Sequence, residues 1–353
     1  MTTAAQTRTT RPGISLRIGT VELDNPIFIA PMAGITDRPF RDLARELGAG
    51  LTCTEMTAAA AVVRAPEDAV ERVLDLRGDE HPVAAQLVGC DPKMMADAAQ
   101  ICVAKGADII DINLGCPVSK VVRLGSGAAL AREIRATAAV LEAMVQAVPV
   151  PVTAKMRLGW DHQSINAPEL SRALEDVGVQ AVTIHGRTRA QRYTGFADWA
   201  EIGRVKEAVR AIPVLGSGDV RDPAQVEARI RQGVVDGVVI ARGMMGDWHL
   251  LQQTVSQLRH GDPGPDPSFE ERVRLARRHW LSVVDHHGER RGVRLARKYL
   301  VWAIKGCSGA ARLRARVADL YTKADLEELY FEIVAAGEGP HGWQRPIFVS
   351  GEG

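Results

Sequence analysis

Eight short apolar or β-branched runs recur along this chain, at residues 26–32, 51–56, 82–88, 108–113, 151–156, 181–185, 212–216 and 237–241. Most are nearly continuous rather than alternating, the pattern of parallel strands covered on both faces. Between them, apolar residues fall at helical spacing, as Phe40, Leu43, Ala44 and Leu47 do within 37–48. Residues 92–105, 128–147, 167–177, 199–211, 223–232 and 247–258 read the same way. Eight strand–helix repeats over about 235 residues predict an α/β protein built as a (β/α)8 TIM barrel. An open doubly wound sheet would carry a G-x-G-x-x-G turn after its first strand, and Pro31-Met32-Ala33-Gly34-Ile35 is not one.

The pattern changes at the Gly/Pro-rich stretch 261–268, which reads as a linker. Residues 269–335 keep helical periodicity without a strand run, so the barrel, 14–260, is expected to be followed by an all-helical domain. Residues 1–13 are polar and Thr-rich, a flexible tail by composition, and 336–353 are Gly-rich and read as irregular. With 46% hydrophobic and 25% charged residues, the chain is globular rather than disordered. No apolar run reaches the roughly 18 residues of a membrane span. The five cysteines form no C-x-x-C pair and no zinc-type spacing, which argues against a disulfide framework or a metal and for a cytoplasmic protein.

Chemistry gathers at the strand ends, where barrel enzymes place reacting groups. The most distinctive end is Asn113-Leu114-Gly115-Cys116-Pro117, a thiol on a Gly/Pro-bounded loop after the fourth run. Glu55 closes the second run and Gln86 lies in the third; Lys155 and Arg157 end the fifth, His185 and Arg187 the sixth. Each alone could be a satisfied core residue, but one barrel face has little reason to collect so many costly polar groups without a site. Gly216-Ser217-Gly218-Asp219 and Ala241-Arg242-Gly243 end the seventh and eighth runs, where barrels bind phosphate through backbone N–H groups. Lys155 fits either a Schiff base with a carbonyl substrate or stabilisation of negative charge on a reduced flavin. An aldolase would not obviously need Cys116, Gln86 and His185 around the same centre.

In these motifs the chain resembles the tRNA-dihydrouridine synthases, most closely their bacterial B branch. The resemblance rests on Ala30-Pro31-Met32-Ala33-Gly34-Ile35-Thr36-Asp37 and Asp111-Ile112-Asn113-Leu114-Gly115-Cys116-Pro117. It continues through Lys155-Met156-Arg157-Leu158-Gly159-Trp160, Ile184-His185-Gly186-Arg187-Thr188-Arg189 and Ala296-Arg297-Lys298-Tyr299-Leu300. It implies FMN on the barrel, NADPH (or NADH) as reductant, and reduction of the C5=C6 bond of particular tRNA uridines. Pro31, Met32 and Ala33 would line the flavin, Gln86 and Lys155 its polar edge, with His185 against it. Ser217, Gly218, Asp219, Ala241 and Arg242 would hold the phosphate end. Cys116 would be the general acid at C5, with Asn113, Arg157 and Arg187 on the substrate side. Free thiols, with pKa about 8.5, are mostly protonated at neutral pH and can donate. Two departures stand out: Val122 where the family commonly has Asn, and Ser217 where it commonly has Asn.

A net charge of +1 hides a local excess. Between Arg272 and Arg316 there are 13 Lys/Arg and two acids, Asp285 and Glu289. That is the footprint of a polyanion partner, with Lys298, Arg312 and Arg314 the expected tRNA contacts. Two other functions fit less well: an FMN barrel acting on a free pyrimidine or another enone, and a non-catalytic RNA-binding protein on a decayed barrel. No obligatory protein partner and no membrane association are indicated.

Overall fold

The computed structural model describes residues 14–76, 81–340 and 342. The tail expected at 1–13 and most of the one expected at 336–353 lie outside the described residues. An antiparallel hairpin, β1 (Leu16–Ile18) and β2 (Val21–Leu23), comes first. A closed barrel of eight parallel strands follows. Its strands are β3 (Ile27–Ile29), β4 (Thr52–Cys53) with a short continuation β5 (Thr57–Ala58), β6 (Val83–Val88), β7 (Ile109–Leu114), β8 (Val152–Arg157), β9 (Ala181–His185), β10 (Val214–Ser217) and β11 (Gly237–Ile240). The Ile29 N–H donates to the Leu51 carbonyl at 3.0 Å and closes the ring between β3 and β4.

Helices α1 (Arg38–Glu46), α2 (Ala59–Arg64), α3 (Glu67–Leu74), α4 (Pro92–Ala104), α5 (Ser119–Arg123), α6 (Ile134–Ala147), α7 (Ala167–Asp176), α8 (Trp199–Ala208), α9 (Pro223–Arg231) and α10 (His249–His260) belong to the barrel. Aspartates start several of them: Asp37, Asp91, Asp198 and Asp222 each accept an N–H of the first turn. Helices α11 (Phe269–His287), α12 (Glu289–Ile304), α13 (Ala310–Val317) and α14 (Lys323–Ala336) follow the barrel. Segment 261–268 has no helix or strand but folds back on α10, with Gln253 Nε2 donating to Asp266 at 3.1 Å. Gly292 lets α11 and α12 touch, since a Cβ there would stand 2.4 Å from Val284 Cα. One apolar core runs from the strand–helix layer of the barrel into this bundle, joining Phe40 and Trp248 to Trp280 and Tyr299.

The barrel interior is layered. Ile18 and Leu23 of the hairpin plug its lower end against Phe28, Leu51, Ile109, Leu215 and Val239. Above them the inward positions turn polar: Gln86, Asp111, Asn113, Thr153, Lys155, Arg157, Thr183, His185 and Ser217. Their partners at odd spacing (Leu87, Ile112, Ala154, Met156, Ile184) face the helices and are fully buried. The second strand differs from its expected single run, 51–56. It breaks after Cys53, because Thr54 Oγ1 replaces a ladder carbonyl and accepts the Gln86 N–H at 3.0 Å. Glu55 therefore lies outside the strands.

Candidate active site

Asn113 fixes the cysteine loop from within. Its Oδ1 accepts the N–H groups of Gly115 and Cys116 at 3.1 and 2.8 Å, a side-chain turn that lifts the chain off β7. On the far side, the Ala128 N–H reaches the Cys116 carbonyl at 3.3 Å. Cys116 is thus held through its backbone, while its thiol is half-buried and makes no hydrogen bond among the described residues. Cys53, Cys102 and Cys307 are buried, and burial pushes Cys102 up to about 12 and Cys307 up to about 11. Cys90 is exposed and donates to Leu124 O at 3.3 Å.

Asn113 is itself oriented by a buried chain of polar groups. Its Nδ2 donates to Gln86 Oε1 at 2.9 Å, and Gln86 Nε2 donates to Asp111 Oδ2 at 2.7 Å. Thr153 Oγ1 donates to the other Asp111 oxygen at 2.7 Å. Burial raises the Asp111 pKa, while bonds from Gln86 and Thr153 support its ionised form. Asp111 and Thr153 were not singled out by the sequence, although a charged residue two positions before Asn113 marks the same inward face.

Strand register gathers the cations. Asn113 stands opposite Lys155, Arg157 opposite His185, and His185 opposite Ser217. Lys155 has no hydrogen-bond or ion-pair partner among the described residues, and it forms no bridge to Glu55. Burial, then nearby Arg157, bring its pKa down to about 8, so it remains mostly charged at pH 7. His185 is likewise unpartnered. Burial and the cations Arg157, Lys155, Arg187 and Arg242 push its pKa well below the ordinary value, leaving a neutral imidazole. Arg157 is buried and brought down to about 10 chiefly by burial. It donates to the carbonyls of Gly115 (3.0 Å), Thr188 (2.9 Å) and Arg192 (2.8 Å), tying the cysteine loop to the loop after β9.

Arg187 serves the same loop, donating to Thr194 and Gly195 carbonyls at 3.2 and 2.6 Å. Its Nη2 also meets both Asp219 oxygens, at 2.9 and 2.8 Å, while Nη1 is buried without a partner. Burial would raise the Asp219 pKa, but the Ala197 N–H and Arg187 outweigh it and hold the carboxyl below its usual range. Arg242 is half-buried and stacks on Tyr193 at 4.3 Å, with Arg157 5.6 Å from the same ring. Gly218, at φ 123, lies against the His185 ring; a Cβ there would stand 2.5 Å from Ala197 Cβ. Pro31, Met32 and Ala33 form the loop between β3 and α1, fixed where the Met32 N–H donates to Thr36 Oγ1 at 3.0 Å. Ala241 leads from β11 into the turn that carries Arg242. A cavity of about 310 Å³ adjoins the mouth, sharing Arg157 and walled by Trp160, Arg132, Glu133 and Glu169, but the other site side chains do not line it.

The dihydrouridine synthase family profile matches residues 28–336. The chain belongs to the dihydrouridine synthase family. It is 41% identical over 323 residues to a probable tRNA-dihydrouridine synthase of Rickettsia bellii, spanning 90% of this chain and 99% of that protein. It is 40% identical over 302 residues to tRNA-dihydrouridine synthase B of Pseudomonas aeruginosa, spanning 85% and 90%. Histamine dehydrogenase from Rhizobium sp. 4-9 matches with a TM-score of 0.55 at 16% identity, over 76% of this chain and 50% of that one. A mutant of morphinone reductase in complex with tetrahydroNAD gives 0.51 at 14%, over 72% and 93%. These two likenesses show the barrel fold alone.

In this family member, tertiary structure redistributes the basic excess of the helical part. Arg277 pairs with Glu327 at 2.5 Å, Arg312 with Glu332 at 3.1 Å and Arg316 with Glu328 at 3.2 Å, all three acids on α14. Arg278 reaches Glu46 across the seam with α1, and Lys298 Nζ donates to the Gly34 carbonyl. Arg290, Arg291, Arg294, Lys305 and Arg314 are exposed and have no partner among the described residues. Arg291, Arg294, Lys298, Val301 and Lys305 recur at steps of three and four, one stripe along α12. The stripe passes the β3–α1 loop at Lys298. Among the described residues no His/Cys/Asp/Glu group could hold a metal, and no helix is long and apolar enough to cross a membrane.

Proposed function

We propose that this chain is an FMN-dependent tRNA-dihydrouridine synthase, reducing the C5=C6 bond of particular uridines in tRNA with NADPH as hydride source. One observation carries the reading: a backbone-locked Cys116 with a free thiol stands beside a mouth that holds an unpartnered Lys155 and a buried Arg157 bonded among the described residues to carbonyls and not to a carboxylate. Such a surplus of positive charge fits an anionic, phosphate-bearing ring cofactor. Pro31, Met32, Ala33, Gln86, Lys155 and His185 would hold its ring end, and Ser217, Gly218, Ala241 and Arg242 its phosphate. When bound, FMN would supply the hydride for C6 of the uracil.

The remaining chemistry belongs to the chain. Cys116 gives its proton to C5, and its backbone bonds keep the thiol in place while the S–H breaks. Arg157, tied to the carbonyl of Gly115, keeps a positive charge next to the thiolate that results. Half-exposed, the thiolate then recovers a proton from solvent. Lys155 would supply charge to the polar edge of that ring, and the neutral imidazole of His185 would pack beside it without adding a further cation. Arg187 and Asp219 act as braces for the loop after β9. The uridine must leave the RNA stack to reach this depth, at a cost of a few kcal/mol.

The α12 stripe is the tRNA-tracking face, with Lys298 leading to the mouth and Arg314 adding charge from α13. Five free cysteines suit a reducing, cytoplasmic setting. The test is to supply the FMN-loaded protein with NADPH and either tRNA from cells lacking the gene or free uridine, and to measure dihydrouridine by mass spectrometry. Conversion in tRNA is expected. Turnover of free uridine with untouched tRNA would instead favour a small-molecule reductase.

A further inference from the structure

The loop between β9 and α8 carries an aromatic ring for which the fold has no use. Phe196 is 88% exposed, and among the described residues its ring meets no aromatic or cationic partner. Tyr193, three residues earlier, is the contrast, because Arg157 and Arg242 already stack on it. The Phe196 backbone is nonetheless tightly fixed. The Gly195 carbonyl accepts from Arg187 at 2.6 Å, and the Ala197 N–H donates to Asp219 at 2.7 Å. A bare apolar ring on a rigidly braced loop gains nothing in the free protein, since its hydrophobic surface stays in water.

Its surroundings name the partner. Arg187 and Asp219, which hold the loop, end β9 and begin the turn after β10, so Phe196 stands on the rim of the barrel mouth. Exposed Arg192, four residues earlier, puts positive charge on the same loop. In sheet order β9 is the third strand from β3, whose loop meets the α12 stripe at Lys298. A polyanion lying on α12 and crossing the mouth therefore arrives at Phe196. A uridine swung out of a folded RNA leaves its neighbours with an open π-face, and an aromatic side chain can cover it without reading sequence.

We propose that Phe196 stacks on a nucleotide flanking the target uridine, replacing the neighbour the RNA loses when the uridine turns into the site. The inference rests on the tRNA-reductase reading. Three variants of the FMN-loaded protein test it: Phe196→Ala, Phe196→Leu and Phe196→Trp, with tRNA from cells lacking the gene as substrate. Phe196→Ala should lower kcat/KM for tRNA about tenfold, mainly through KM, with flavin reduction by NADPH unchanged. Phe196→Trp should keep the activity, and the added indole fluorescence should be quenched on tRNA binding. Phe196→Leu should fall with Ala, because it keeps apolar area but no π-face. Full activity in the Ala variant, or full rescue by Leu, would overturn the stacking role while leaving the reductase intact. A wild-type enzyme inactive on tRNA would overturn both.

Discussion

Cys116 owes its position to groups other than itself. Asn113 binds the N–H groups ahead of it, Gln86 fixes Asn113, and Asp111 fixes Gln86. If Cys116 is the proton donor, Cys116→Ala should keep bound flavin, read from its visible absorbance, and slow reoxidation by tRNA two to four orders of magnitude. Loss of the flavin would make the cysteine structural. Asp111→Asn separates the support from the donor. The new amide can offer an N–H where only an acceptor stood, so Gln86 turns and Asn113 loses its partner. Stopped-flow reoxidation by tRNA should slow about tenfold while the fold is kept, and an unchanged rate would show that Gln86 is oriented by something else. The thiol, Lys155 and His185 were legible in the sequence because polar residues interrupt otherwise apolar runs. The tasks of Arg157 and Arg187 were not, because their acceptors are loop carbonyls and Asp219, up to 42 residues away.

At the scale of elements, hydrophobic periodicity located all eight barrel strands and the helices that begin at Asp-capped turns. It passed over α2 and α3, where Ala59 and Val62, and Val70 and Leu74, give only two buried positions each. It also passed over the β1–β2 hairpin, whose three-residue strands bury one side chain apiece. The interruption of the second strand depends on Thr54 substituting a hydroxyl for a ladder acceptor, a pairing invisible in one strand alone. For α12 the stripe makes a quantitative expectation. Arg291→Gln with Arg294→Gln should weaken tRNA binding and reduce the slope of log affinity against log salt by between one and two. Arg312→Gln should leave that slope nearly unchanged, because Glu332 already engages Arg312. Filter binding across a salt series distinguishes the two; equal slopes for all variants would remove α12 from the RNA path.

For the whole molecule, the seam between barrel and bundle has its own pH dependence. His279 is fully buried among Phe40, Trp248 and Tyr299, with ring centroids 5.5, 5.0 and 4.4 Å away. Burial pushes its pKa down to about 4, against the pull of Asp37, so the folded protein holds it neutral. The unfolded chain takes up that proton near about pH 6.5. Stability is therefore complete above about pH 6.5 and falls as pH drops toward 4, by on the order of 3 kcal/mol. His279→Phe should flatten this fall in thermal melts between pH 4.5 and 7.5, and an unaltered slope would place the proton uptake elsewhere. The barrel, the helical extension and the thiol-bearing loop are written in the chain itself, because they follow from periodicity, capping and local turn chemistry. Which charges are free emerges only on folding. The acids of α14 pair with three of the thirteen cations, Arg277, Arg312 and Arg316, and two site arginines are drawn into bracing loops. Charge pairing is a matter of distance in space, and the chain records only distance along itself.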